Sequence, residues 1–179
     1  MKVEKLSLES LNRISKEDYK GVKKLDYYIV ADNVRSGQNV GSLFRSADAF
    51  AADNIYLTGI SPIPPNKEVL KTALGATETV SWSQYQENGP LIEYLKKNNI
   101  KIIVVEQTTN SVLLHDFKPV NGEKYALIFG NEVDGVSMDF IKNADLCVEI
   151  PQVGTKHSLN VSVCAGILMW HMYDALKST

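Results

Sequence analysis

From residue 27 onward, short apolar runs rich in β-branched and aromatic side chains alternate with longer stretches in which apolar positions recur every three or four residues. The runs at 27–31, 55–57, 79–82, 102–105, 126–129 and 146–150 read as strands. The stretches near 40–51, 68–74, 90–98, 137–143 and 159–176 read as helices. Such alternation predicts βαβ units, hence an α/β fold with a mostly parallel sheet flanked by helices. Ahead of it, Leu8, Leu11 and Ile14 lie at helical spacing, and Ser15 followed by Asp18 forms an acidic variant of the capping box. Residues 1–25 therefore read as a helical N-terminal extension, and 26–179 as one domain. The proline-rich segment 61–66 and the turn at 87–90 are too short for interdomain linkers, and no internal repeat is evident.

The chain has 179 residues, 44% hydrophobic and 22% charged, an ordinary composition for a soluble globular domain. Its most apolar segment, 159–173, is interrupted by Asn160, Ser162, Gly166 and His171 and is too short for a membrane span. The opening decapeptide lacks a secretion signal, so a cytoplasmic location is expected. Cys147 and Cys164 both fall in apolar segments, the pattern of buried free thiols rather than of a disulfide framework. A net charge of −2 by itself argues against a nucleic-acid partner. Its distribution is uneven, however: residues 1–25 carry an excess of three positive charges and the remainder carries −5. Mixed charge of this kind most often belongs to a solvated helix surface.

Familiar α/β chemistries are missing. No G-x-G-x-x-G follows the first strand, and neither a P-loop nor a G-x-S-x-G elbow occurs. His115, His157 and His171 are scattered, without cysteines or carboxylates at zinc spacing, so no metal is expected. Open parallel sheets collect ligands beyond the carboxyl ends of their strands, which directs attention to the loops after residues 31, 129 and 150. The first runs from Asn33 to Arg45. Asn39 is its natural N-cap, and Arg45 stands about a turn and a half further along the helix, where a planar guanidinium suits a phosphate or carboxylate. The second, 129–135, sets Glu132 among glycines that permit close backbone approach. The third, 150–163, ends in a helix whose natural N-cap is Ser158, with Asn160, a mediocre helix former, just inside it.

Three such loops, in this order and at this spacing, resemble the signature motifs of the SpoU, or TrmH, family of RNA 2′-O-methyltransferases within the SPOUT superfamily. One motif alone is a weak signal, whereas three in order are specific. The likeness runs over residues 27–176 and takes in the segments 71–76 and 106–111. It implies that 26–179 is a SPOUT methyltransferase domain whose parallel sheet carries a C-terminal trefoil knot. Pattern reasoning alone would choose an unknotted doubly wound sheet, since knots are essentially absent from proteins. The resemblance also implies S-adenosyl-L-methionine as cofactor, tRNA or rRNA as partner, and a homodimer whose active site borrows residues from both subunits. The helix around Ile167, Leu168, Met169 and Trp170, apolar almost all round, is the implied dimer surface.

By the same resemblance the cofactor is held by Glu106, Gly130, Ile150, Ser158 and Leu159, and the catalytic set is Asn39, Arg45, Glu132, Ser158 and Asn160. Ile150 and Leu159 read equally well as core residues, and an adenine ring needs apolar walls. The implied reaction is attack of a ribose 2′-oxygen on the cofactor's methyl group, which needs alignment and removal of a proton but no metal. Arg45 is the implied base. A guanidinium stays protonated, so its chemistry fits phosphate positioning and alkoxide stabilisation first. Cys164 and Gln152 stand where Ala and Met are common in the family. No separate N-terminal RNA-binding domain of the kind some relatives carry is expected, so RNA selection is expected to rest on residues 1–25, the dimer surface and cations such as Lys67, Lys71 and Lys156. Two other functions fit the same residues: an RNA-binding or assembly factor without turnover, and a methyltransferase acting on a base.

Overall fold

The sequence LDYYIVAD forms β1 (Leu25–Asp32), and its side chains divide between two cores, Tyr27, Ile29 and Ala31 in one, Tyr28 and Val30 in the other. A strand apolar on both faces belongs at the centre of a parallel sheet covered on both sides. The computed structural model describes residues 3–7, 10, 14–156 and 158–177. Beside β1 it contains β2 (Ala52–Thr58), β3 (Ser81–Tyr85), β4 (Ile100–Val105), β5 (Val112–Leu113), β6 (Lys124–Phe129) and β7 (Leu146–Glu149). They form one sheet in the order β3-β2-β1-β6-β4-β7-β5, with every neighbouring pair parallel.

The helices are α1 (Lys16–Lys20), α2 (Gly37–Ala49), α3 (Lys67–Ala73), α4 (Asn88–Lys97), α5 (Met138–Lys142) and α6 (Val161–Lys177). Helices α2, α3 and α6 cover the face bearing Tyr27 and Ile29, and α4 and α5 cover the other. In α2, Val40, Leu43, Phe44 and Ala47 fall at the spacing of one helical stripe and are fully buried. Burying side chains such as Leu43 and Phe44 contributes about 1.5–3 kcal/mol each. α6 buries Val161, Ala165, Leu168, Met169, Met172 and Leu176, yet leaves Val163, Ile167 and Trp170 exposed on its opposite face. The apolar composition all round this helix thus corresponds to one packed face and one uncovered face. No helix among the described residues is long and apolar enough to cross a membrane.

The expected α/β alternation holds, with departures at its edges. β2 begins at Ala52 rather than 55, because the polar Asp53 and Asn54 supply backbone groups to pairing as well as apolar residues do. β3 is shifted to Ser81–Tyr85, after a 3-10 turn at Ala76–Glu78; it is an edge strand, and its exposed serines carry no apolar periodicity. β5, with two residues, is too short to leave a pattern. In the N-terminal region the described helix is α1 alone, while Leu8 and Leu11 lie outside the described residues. Ser15 caps α1, accepting from the Asp18 N–H at 3.1 Å and donating to its carboxylate at 2.7 Å. α1 is tied to the domain by Lys16 to Glu78, 2.7 Å, and by the Tyr19 hydroxyl, which donates to the Asp48 carbonyl. Cys147 and Cys164 are free thiols and half-buried rather than fully buried.

Candidate functional site

Because β1, β6, β4 and β7 are neighbours and all parallel, the loops that follow them emerge side by side at one edge of the sheet. In the first loop the N-cap of α2 is Ser36, not Asn39: the Ser36 hydroxyl accepts from the Asn39 N–H at 3.2 Å, and the helix starts at Gly37 instead of 40. Ser36 and Asn39, three positions apart, are both cap-competent, and the earlier serine takes the cap. The consequence is chemical, since the Asn39 amide is released from capping. Its Nδ2 donates to Glu132 Oε1 at 2.8 Å.

Glu132 is the hub of the site. Besides Asn39, the Arg35 N–H donates to its Oε2 at 3.0 Å and the Ser36 N–H to its Oε1 at 3.3 Å. Burial pushes the Glu132 pKa up, but the hydrogen bonds from Arg35, Asn39 and Ser36 outweigh it and hold the carboxyl below its ordinary range. Glu132 is therefore an ionised, acceptor-only group at neutral pH.

The loop carrying Glu132 turns back on itself: Asn131 and Gly135 exchange backbone hydrogen bonds of 2.9 and 3.0 Å. A Cβ on Gly130 would lie 2.2 Å from the Gly135 carbonyl carbon, so only glycine fits there. Gly135 has φ +72°, and a Cβ on it would meet Glu106 Oε2 at 2.4 Å. Glu106, at the end of β4, accepts from the Val136 N–H at 3.3 Å and so joins its own loop to this one.

In the third loop the α6 cap is Asn160 rather than Ser158. Asn160 Oδ1 accepts from the Ser162 N–H at 2.8 Å, and the helix begins at Val161. Its Nδ2 remains available and donates to Asn39 Oδ1 at 3.2 Å. Asn160, Asn39 and Glu132, one from each loop, thus form a continuous hydrogen-bonded row, and Ser158 stands exposed beside it without a capping duty.

The row borders a cleft of about 520 Å³. Glu106, Gly130, Glu132, Ile150, Ser158, Leu159 and Asn160 all line it, so every residue expected at a cofactor and three of the five expected in catalysis share one cavity. Asn39 joins through Glu132. Its walls combine apolar groups, Val105, Val148, Ile150 and Leu159, with the carboxylates Glu106, Glu132, Asp134 and Glu149. Cys164 also lines it; burial and then the nearby Glu106 charge push its thiol up to about 11, which leaves it protonated and unreactive at neutral pH. Two residues past Glu106, Thr108 Oγ1 is buried without a hydrogen-bond partner. No group of His, Cys, Asp and Glu among the described residues is arranged to hold a metal ion.

Arg45 is not part of this assembly within one chain. It is exposed, with no hydrogen bond or ion pair to the described residues, and it does not line the cleft. Six residues beyond Asn39, it stands about 9 Å further along α2 and roughly 120° around its axis.

Pattern reading also missed three polar residues that hold the loops together. Asp32 is 1% exposed and accepts from the Ser137 N–H at 2.7 Å, Asn33 Nδ2 at 2.9 Å and Asn88 Nδ2 at 3.2 Å. Asn33, at φ +54°, accepts from the Ile60 N–H at 3.2 Å. Asn131 donates to the Asn33 carbonyl at 2.8 Å, linking the first and second loops. The signal available was their place: Asp32 closing β1 with Asn33 next to it, and Gly-Asn directly after β6, put polar side chains where an apolar strand delivers them into the protein.

Residues 26–170 match the model of the SpoU rRNA Methylase family, and the chain belongs to that family. It is 31% identical over 158 residues to an uncharacterized tRNA/rRNA methyltransferase of Borreliella burgdorferi, covering 87% of this chain and 67% of that protein. It is 30% identical over 161 residues to the 23S rRNA (guanosine-2′-O-)-methyltransferase RlmB of Neisseria meningitidis serogroup B, covering 89% of this chain but 63% of that one, less than two thirds of its length. The fold is that of the SpoU methyltransferase AviRb from Streptomyces viridochromogenes, solved in complex with the cofactor AdoMet: TM-score 0.76 at 21% identity, over 86% of this chain and 59% of AviRb.

Proposed function

We propose that this chain transfers a methyl group from S-adenosyl-L-methionine to a ribose 2′-hydroxyl of tRNA or rRNA. The observation that carries the reading is the row Glu132–Asn39–Asn160 bordering a cleft that every expected cofactor residue lines. The names of the Neisseria and Borreliella relatives support the reaction and the RNA class.

The residues present fit such a cofactor. Ile150 and Leu159 offer apolar walls for a purine, and loop backbone at Gly130 can approach closely. The carboxylates Glu106, Glu132, Asp134 and Glu149 suit a ligand bearing a sulfonium and an ammonium. When bound, S-adenosylmethionine supplies a methyl group on a positively charged sulfur that leaves as a neutral thioether. The chain's own part is alignment, and oriented binding can contribute up to about 7–11 kcal/mol. Glu132 and Asn39 hold the first loop and orient the ribose. Asn160 and Ser158 fix the third loop against the reacting sugar. Arg45 positions a phosphate and stabilises the developing alkoxide, and the family resemblance also gives it the role of base.

Arg45 stands clear of the cluster in its own chain, and α6 leaves Val163, Ile167 and Trp170 uncovered at helical spacing. Both features support a homodimer in which a second copy of this chain brings its Arg45 to the cleft. The sheet order supports the trefoil knot: β7, late in the chain, pairs between β4 and β5, and the Leu114 N–H donates to the Glu149 carbonyl at 2.8 Å, as a late strand threaded past the 106–117 segment would require. On this reading 1–25 is a helical extension that helps select RNA, 26–179 is the methyltransferase domain, and the protein acts in the cytoplasm.

Transfer of labelled methyl from S-adenosylmethionine to unfractionated RNA tests the proposal. Labelled RNA is expected; a protein that binds the cofactor and labels no RNA is an RNA-binding or assembly factor instead.

A further inference from the structure

The cleft is electrostatically mismatched to the strand it is proposed to receive. Its walls carry the carboxylates Glu106, Glu132, Asp134 and Glu149, and no lysine or arginine among the described residues. Such walls suit a cationic ligand and repel a phosphodiester. One cation is nevertheless anchored at the rim. The Arg35 N–H donates to Glu132 Oε2 at 3.0 Å, which pins its backbone to the centre of the site. Its guanidinium Nη2 lies 3.5 Å from Asp134 Oδ2. That is a single contact, longer than the ~2.7–2.9 Å of a good charge-assisted hydrogen bond. The two side chains are 56% and 73% exposed, so the pair contributes little and exchanges readily.

We propose that Arg35 receives the phosphate flanking the target ribose, and that Asp134 holds its guanidinium over the rim until RNA displaces the pair. This rests on reading the cleft as an RNA ribose methyltransferase site. A guanidinium engages two phosphate oxygens at once, which its single contact to Asp134 does not, and a lysine would supply only a point charge. In the exchange Asp134 returns to solvent, and the strand gains a cation rooted one backbone hydrogen bond from Glu132. Arg35 is a positioning residue for the substrate: it acts on RNA affinity and leaves cofactor affinity alone.

The test compares the wild type with Arg35→Gln, Arg35→Lys and Asp134→Asn. Lys124→Gln, where β6 begins at the opposite end of the sheet, is the control. Binding of unfractionated tRNA and rRNA is measured across a salt series, alongside S-adenosylmethionine binding and methyl transfer. Arg35→Gln is expected to weaken RNA binding roughly tenfold and to reduce the salt slope of log affinity by about 0.7–0.9, one phosphate contact. KM for RNA rises while kcat and cofactor affinity are nearly retained, and Arg35→Lys restores part of the loss. Asp134→Asn tightens RNA binding only while Arg35 is present. The inference is overturned if Arg35→Gln loses no more affinity than Lys124→Gln, or if Asp134→Asn tightens binding equally in the Arg35→Gln background. Normal RNA binding by Arg35→Gln beside an active wild type defeats the Arg35 assignment alone. A wild type that binds RNA through Arg35 without transferring methyl keeps the phosphate contact and defeats the turnover.

Discussion

Asn39 Nδ2 donates to Glu132 Oε1 at 2.8 Å across 93 positions of sequence, and this bond welds the loop after β1 to the loop after β6. It exists because Ser36 takes the α2 cap and frees the asparagine. Asn160 then extends the row by bonding Asn39 rather than Glu132 directly.

Replacing Glu132 by Gln keeps the shape but turns one acceptor oxygen into a donor facing N–H groups of Arg35, Ser36 or Asn39. Turnover is expected to fall by roughly a hundredfold or more, the scale of losing one aligned polar group in a reacting site. The rim is exposed, so water replaces the lost partner and stability drops by only about 1 kcal/mol. Steady-state kinetics beside urea unfolding separate the two effects.

The pH dependence follows from the same carboxylate. Glu132 titrates lower in the folded chain than its ordinary 4.5, so its stabilising contribution is complete above that value and fades as pH falls through the lower folded one. The stability gap between wild type and Glu132→Gln should therefore be widest near neutrality and close in acid. Unfolding curves across that range check it, and a gap that widens in acid would reverse the assigned sign.

Gly130→Ala places a methyl carbon 2.2 Å from the Gly135 carbonyl carbon, so the loop must open. A loss of about 1–3 kcal/mol is expected, the ordinary cost of overpacking. Calorimetry should show cofactor binding lost in a protein that remains folded, because the displaced loop forms a wall of the cleft.

Trp170→Glu puts a charge in the uncovered face of α6. Sedimentation velocity is expected to find a dimer for the wild type and a monomer for the variant, with methyl transfer lost along with the dimer. An active monomer would remove Arg45 exchange between subunits from the account.

Subunit sharing has its own test. Arg45→Ala and Glu132→Gln should each be inactive, yet an equal mixture that exchanges subunits regains about a quarter of wild-type activity, since a mixed dimer holds one intact site. Residual activity no greater than that of either parent would confine each site to one chain.

The centre of the sheet was legible because its strands are buried on both faces: runs such as 27–31 and 126–129 have no other place to go. Edge elements were not, since β3 exposes Ser81 and Ser83 and β5 has two residues. The three loops were legible as one site from strand order and residue type. Their caps were misassigned, Asn39 for Ser36 and Ser158 for Asn160, because cap-competent residues stand two or three positions apart and propensity does not rank them. Only the fold decides which amide is released for chemistry. Arg45 was singled out by its place in the first loop and its guanidinium and joined to the catalytic set by family likeness, whereas helical geometry turns it away within one chain.

The most direct test of the central claim is where the methyl group lands. Alkaline cleavage of RNA needs a free 2′-hydroxyl, so methylation there protects the adjoining linkage. RNA labelled by this protein with methyl-labelled S-adenosylmethionine is expected to release its label in alkali-resistant dinucleotides, and Glu132→Gln to release almost none. Label recovered in mononucleotides would place the methyl on a base and contradict the account.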